Sequence, residues 1–182
     1  MQRVIVSIDP GTVTLGLAIF DAKARERSKT PRPLFATAHN LSGAHRGGSA
    51  QNAFRMGDIF KNAVDGYRVE IVYCEQMEYL PSARGQAAIT DVLGVAFACG
   101  VFGRIATELK AGFHPVPVTK WKGQLSKDQV ARRILKKWGI EAPRNHLGRD
   151  EDAPLSFLSD PRSPSHDWDA VGIGLYGMGF FE

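Results

Sequence analysis

The first twenty residues constrain the fold most, because they contain two strand-like runs separated by a tight turn. The run RVIVSID (3–9) is rich in β-branched residues and too short for a helix, so it predicts a buried strand. Pro10 and Gly11 form the turn, and VTLGLAIFD (13–21) predicts a second strand that completes a hairpin. The chain therefore opens with an antiparallel pair whose first strand ends on an acid, Asp9.

Alternating strand and helix patterns follow the hairpin and predict an α/β protein. Further strands are expected at LFATAHNL (34–41), VEIVYCE (69–75) and FHPVPV (113–118), the last at a sheet edge because of its prolines. Helices are expected over 49–67, 83–109 and 126–139, with a last helix beginning near Ser163 or Ser165. Three hairpin-linked strands followed by βαβ units predict one five-stranded mixed sheet flanked by helices.

Length and composition indicate an ordinary globular protein. The chain has 182 residues, of which 43% are apolar and 23% charged, and we expect a single domain over 1–182. No apolar run approaches the roughly 20 residues of a membrane span, so no membrane association is expected. Two cysteines give neither a disulfide framework nor a zinc-finger spacing, which favours a reducing cytoplasm.

The charge is unevenly distributed along the sequence. The net charge is +4, but residues 101–150 hold 11 Lys or Arg against 4 Asp or Glu, whereas residues 151–182 hold 1 against 6. A basic block followed by an acidic end suggests an anion-binding surface beside an acidic centre. A solvated basic helix face is the alternative interpretation.

Two predicted strands end on carboxylates. Asp9 ends the first strand and Glu75 ends the strand at 69–75. If these strands are parallel neighbours, both carboxylates emerge at the carboxyl edge of the sheet, where open α/β sheets bind ligands. Like charges at that edge are tolerated when a divalent cation lies between them, and oxygen ligands suit Mg²⁺ or Mn²⁺. Alternatively, Asp9 is only a turn residue and Glu75 the partner of an arginine.

The stretch SPSHDWDAVGIG (163–174) adds a third polar group. At about 100° per residue, His166 and Asp169 project from one helix face, whereas Asp167 lies on another. Asp167 is better explained as a first-turn acid that complements the helix dipole. Metals bridged by carboxylates can activate water for phosphodiester cleavage, so the residues alone favour a metal-dependent nuclease.

The sequence also resembles the RuvC family of Holliday-junction resolvases, within the RNase H-like superfamily. IVSIDPGTVTLGLAIFD resembles the first-strand signature of the family, VYCEQ its strand-four Glu-Gln, and HDWDAVGIG its terminal helix. The resemblance implies an RNase H-like fold, a homodimer, and nicking of four-way or other branched DNA with two Mg²⁺ or Mn²⁺ ions per site. It further implies a metal-binding catalytic centre made of Asp9, Glu75, His166 and Asp169, with His166 either a ligand or a general base.

The resemblance also implies DNA contacts. The family places basic residues near the scissile phosphate, in the region that here reads KWKGQLSKDQ (120–129). It usually has an aromatic junction wedge soon after Glu-Gln, where this chain has Glu78 and then an aromatic residue one position later. The candidate DNA-binding residues are Lys120, Lys122, Lys127, Arg132, Tyr79 and Arg84.

Other functions remain open at this level. A YqgF-like nuclease begins similarly and would act on RNA, but its strand-four motif differs. A kinase or ATPase of the actin type uses a related hairpin for phosphates but needs two such domains. A junction-binding module without catalysis is the third alternative.

Overall fold

The computed structural model describes residues 1–41, 49–77, 89–140, 158 and 165–181. Its strands are β1 (Gln2–Pro10), β2 (Thr14–Asp21), β3 (Phe35–Asn40), β4 (Tyr67–Gln76) and β5 (Gly112–Pro117). They form one sheet in the order β3-β2-β1-β4-β5. The pairs β1–β2 and β2–β3 are antiparallel, and β1–β4 and β4–β5 are parallel. The predicted mixed sheet, with the proline-bearing strand at one edge, is confirmed.

The helices are α1 (Ser49–Ala63), α2 (Ile89–Glu108), α3 (Val118–Trp121), α4 (Lys127–Lys137) and α5 (His166–Gly177). Residues 83–88 of the predicted second helix lie outside the described residues. Within the described part of the chain, no helix is both long enough and apolar enough to cross a bilayer.

Two short elements were not predicted. The basic segment after β2 contains a 3₁₀ helix over Ala22–Glu26, and α3 is a single turn before Lys122. The 3₁₀ helix buries Ala22 and Ala24 in the core and leaves Lys23, Arg25 and Glu26 exposed. Neither element is long enough to show a helical period in the sequence.

The sheet separates two apolar layers. Alternate residues of β1 point to opposite faces, so Val4, Val6 and Ile8 pack with α1 and α2, whereas Ile5 packs with α4 and α5. The residues next on the Ile5 side of β1 are Ser7 and Asp9. The alternation thus aims the acid that ends β1 at the layer containing α5.

The register of β1 and β4 brings two acids together. The last paired residues of these parallel strands are Ile8 and Cys74, and the residues that follow them are Asp9 and Glu75. The expected meeting of the two acid-bearing strand ends at one sheet edge is confirmed.

Helix α5 lies closely against β1 and β2. A Cβ atom added at Gly16 would lie 2.1 Å from the backbone oxygen of His166, so only glycine allows this approach. The Ser7 hydroxyl donates to the carbonyl oxygen of Ala170 at 2.7 Å. These contacts fix the first turn of α5 beside the acid-bearing ends of β1 and β4.

Candidate active site

The structure brings the four sequence-predicted site residues to one edge of the sheet. Asp9 and Glu75 are the next-to-last residues of β1 and β4, and Asp9 is 4% exposed. His166 and Asp169 occupy the first turn of α5, where Asp169 is 3% exposed. Buried carboxylates are unusual unless a cation or several donors compensate their charge.

His166 is held by two hydrogen bonds. Its Nδ1 lies 2.6 Å from Oδ2 of Asp9, and its Nε2 lies 2.8 Å from the hydroxyl of Thr14. A carboxylate only accepts hydrogen bonds, so Nδ1 must carry the hydrogen that it shares with Asp9. The Thr14 hydroxyl can donate to Nε2 or accept from it, so this nitrogen can gain or lose a proton without breaking the contact.

Asp169 is paired with lysine. The Lys122 ammonium donates to both carboxylate oxygens at 2.9 Å, and Lys127 lies 3.5 Å from Oδ2. The Lys122 side chain is only 15% exposed, so the pair is screened little by solvent. Burial and the charge of Asp9 raise the pKa of Asp169, while Lys122 opposes this effect.

Glu75 is held by an indole group. The Nε1–H of Trp121 donates to Oε2 of Glu75 at 2.9 Å. Burial raises the pKa of Glu75 to about 8, and the negative charges of Asp9 and Asp169 add to the increase. The mutual effect of these acids indicates a concentrated negative potential that favours a bound cation.

The donor set suits a hard divalent cation, although the side chains now hold protein partners. The oxygens of three carboxylates are the ligand type that Mg²⁺ and Mn²⁺ prefer, and the imidazole adds one nitrogen donor. Across the described ranges, no three His, Cys, Asp or Glu side chains are arranged to enclose a metal ion. The positively charged ammonium of Lys122 contacts the Asp169 carboxylate, which is where a metal ion would bind. This carboxylate is therefore accessible to a positive charge.

The other predicted residues have different surroundings. Lys120 and Arg132 are exposed, so Lys122 and not Lys120 is the lysine that reaches the acids. Asp167 is buried in the first turn of α5, where its carboxylate accepts from the Trp168 backbone N–H at 3.0 Å. The predicted contacts Tyr79 and Arg84, together with Glu78, lie outside the described residues.

Sequence reasoning missed two residues of the site, Trp121 and Thr14. Trp121 stands between two lysines in TKWKG, a pattern that equally fits an exposed aromatic residue among phosphate-binding lysines. Thr14 begins β2, where threonine is common for reasons of strand propensity alone. Without the fold, no sequence signal shows that Trp121 and Thr14 contact site residues.

Comparison with solved structures identifies the architecture. Thermus thermophilus RuvC in complex with a Holliday junction substrate superposes with a TM-score of 0.62 at 20% identity, covering 98% of both chains. A second structure of Thermus thermophilus RuvC gives a TM-score of 0.59 at 21% identity, again covering 98% of both. The chain has the fold of RuvC. No protein-family model and no curated protein matches the sequence.

The RuvC fold accounts for the placement of the acids. Its five-stranded mixed sheet places β1 beside β4. Helix α5, the last element of the chain, begins at the sheet edge where Asp9 and Glu75 lie. Because the sequence identity is low, we infer the roles of individual residues from the contacts within this chain.

Proposed function

We propose that the chain is a metal-dependent endonuclease that nicks four-way DNA junctions and other branched DNA by phosphodiester hydrolysis. The observation that carries the proposal is the cluster of buried Asp9, half-buried Glu75 and buried Asp169 at one edge of a RuvC fold. A protein of the same fold was solved with a Holliday junction substrate. Such an enzyme would act on chromosomal or phage DNA in the cytoplasm, in recombination and repair.

The three carboxylates would hold Mg²⁺ or Mn²⁺, with His166 as a fourth candidate ligand. Once bound, two such ions would activate a water molecule and stabilise the departing oxygen. Asp9 and Asp169 each raise the pKa of Glu75, so a cation among them would relieve repulsion and keep all three ionised.

The hydrogen bonds of His166 favour a proton-carrying role. Its Nδ1 is engaged by Asp9, which orients the ring. Only Nε2, beside the Thr14 hydroxyl, can exchange a proton with a neighbouring water or substrate group. This arrangement is that of a general base oriented by a carboxylate.

Basic side chains flank the acids on the side of α3 and α4. Lys122 and Lys127 contact Asp169 here and would be available to a phosphate once a cation replaces them. Lys120 and Arg132 are exposed further out and would contact the DNA backbone. We therefore expect the DNA backbone to approach the acids from the side of α3 and α4.

A homodimer would supply the two centres that symmetric nicking of a junction requires. Exposed apolar side chains lie together on α1 and α2: Leu93 is 63% exposed, Phe54 58% and Phe97 44%. The Phe54 and Phe97 rings meet edge to face at 5.6 Å. We propose that a second copy covers this patch. Leu93→Glu should yield monomers in light scattering, and a wild-type protein that is monomeric at high concentration contradicts the dimer.

Substrate choice and residue roles are tested together on synthetic DNA and RNA. Wild-type protein with Mg²⁺ or Mn²⁺ should nick a four-way junction more efficiently than a fork, a flap or RNA. Asp9→Asn should bind the junction without cutting it, whereas Asp65→Asn, the same change at an exposed turn, should cut normally. Equal or better cleavage of RNA would favour the YqgF-like alternative. Binding without any metal-dependent cleavage would favour the non-catalytic module.

A further inference from the structure

Trp121 is a buried aromatic residue with a polar contact inside the acidic cluster. It is 2% exposed and ends α3, and its indole N–H donates to Oε2 of Glu75. An indole nitrogen is a donor only, so Trp121 cannot be a metal ligand or exchange a proton at neutral pH. Its effect on the site must pass through the carboxylate that it contacts.

Packing fixes the direction of this hydrogen bond. A Cβ atom added at Gly172 of α5 would lie 2.7 Å from Cζ3 of Trp121, so the indole ring lies directly on the helix backbone. The Phe181 ring also lies beside the indole, with the ring centroids 6.4 Å apart. The indole therefore has little freedom to follow a moving Glu75, and the carboxylate must adjust to the indole instead.

Trp121 and Lys122 are adjacent in sequence, but they make different kinds of contact with the carboxylates that they bind. Lys122 ends in a flexible, charged ammonium that a metal ion can replace at Asp169. The indole of Trp121 is neutral and rigid, and it contacts one oxygen of Glu75 only. It therefore leaves Oε1 of Glu75 for a cation while it restricts the rotation of the carboxylate.

We propose that Trp121 is a positioning residue that orients Glu75 for metal binding, a role that depends on the metal centre proposed above. Outer partners that orient metal ligands typically change metal affinity by about 10–100-fold when they are removed. The same contact holds Glu75 in place against the repulsion of Asp9 and Asp169. Loss of the indole N–H should therefore weaken metal binding although no ligand has been changed.

The test compares two tryptophan variants by Mn²⁺ calorimetry without DNA. Trp121→Phe removes the indole N–H and keeps an aromatic ring. Trp138→Phe is the matched control, because the Trp138 indole donates at the same 2.9 Å distance, but to the backbone oxygen of Pro31. We expect Mn²⁺ to bind Trp121→Phe about 10-fold more weakly or worse than wild type. Trp138→Phe should bind within about twofold of wild type.

Equal Mn²⁺ affinity in the two variants, in a wild-type protein that binds Mn²⁺, overturns the role of Trp121 and leaves the metal centre intact. A wild-type protein that binds no Mn²⁺ overturns both proposals. A purely structural role would lower thermal stability without changing the affinity of the folded protein.

A wild-type measurement keeps the proposal testable if Trp121→Phe does not fold. The indole N–H resonance of Trp121, assigned by comparison with Trp138→Phe and Trp168→Phe, should shift during Mg²⁺ titration with the half-saturation that Mg²⁺ calorimetry of the wild type gives. A resonance that stays unchanged through saturation overturns the proposal.

Discussion

The ion pair between Lys122 and Asp169 makes a strong prediction about the metal-free protein. Lys122→Met removes the ammonium and keeps most of the apolar stem, so it isolates the charge. Breaking a buried pair by removing one partner typically costs about 3–5 kcal/mol, because the other charge is left uncompensated. The two side chains here are 15% and 4% exposed, which places the pair near that limit.

Two features of the structure reduce the expected cost. Lys127 still lies 3.5 Å from Asp169, and its side chain is 35% exposed, so it offers a weaker and more screened substitute. Asp169 can also take up a proton, since burial already raises its pKa. We therefore expect a loss of about 2–3 kcal/mol in the free energy of unfolding. For a chain of this length that loss corresponds to a decrease in Tm of about 4–12 °C.

The assay is urea denaturation in EDTA, with Lys120→Met as the control. Lys120 is exposed, so its substitution should change stability by no more than about 0.5 kcal/mol. Adding Mg²⁺ should restore much of the stability of Lys122→Met, because a bound cation supplies the missing charge and stabilises the folded state by mass action. The reasoning fails if the two variants lose the same stability in EDTA, or if Mg²⁺ stabilises wild type and Lys122→Met equally.

Three further predictions concern the fold, the acids and the DNA surface. Gly16→Ala should destabilise the protein by about 3 kcal/mol or more in urea denaturation, because its Cβ would meet the His166 backbone; a loss near zero would contradict the close approach of α5. The pKa of Glu75 is raised to about 8, so the stability it contributes is full below its ordinary pKa and is lost as pH rises through about 8. Denaturation in EDTA should then show wild type losing stability relative to Glu75→Gln from about pH 5 to 8.5, and parallel profiles would refute this. Lys120→Ala and Arg132→Ala should each reduce, by about 1, the slope of the logarithm of the junction-binding constant against the logarithm of the salt concentration. Unchanged slopes would show that these two residues do not contact the DNA backbone.

The positions of the two acids at strand ends could be predicted from the strand patterns, whereas their meeting follows once β1 pairs with β4, which the sequence offered only as a condition. Strand alternation and the parallel pairing of β1 with β4 are enough to place Asp9 beside Glu75. The shared face of His166 and Asp169 likewise follows from helical geometry. In the structure His166 contacts Asp9, and Asp169 contacts Lys122.

The partners of these acids could not be predicted because they depend on tertiary distances. The contact between Thr14 and His166 requires the hairpin register together with the approach of α5 at Gly16. The choice of Lys122 over Lys120 depends on the single turn of α3, which is too short to have a period. The donor role of Trp121 depends on packing against α5, about fifty residues later in the chain.

Mapping of cleavage sites on a synthetic four-way junction tests the central claim most directly. With each strand labelled in turn, the proposed function predicts Mg²⁺- or Mn²⁺-dependent nicks at symmetric positions in two opposing strands, and none in EDTA or with Asp9→Asn. Cleavage that persists in EDTA, or an intact junction under conditions where the protein binds both metal and DNA, would contradict the assignment of these acids to a junction-nicking centre.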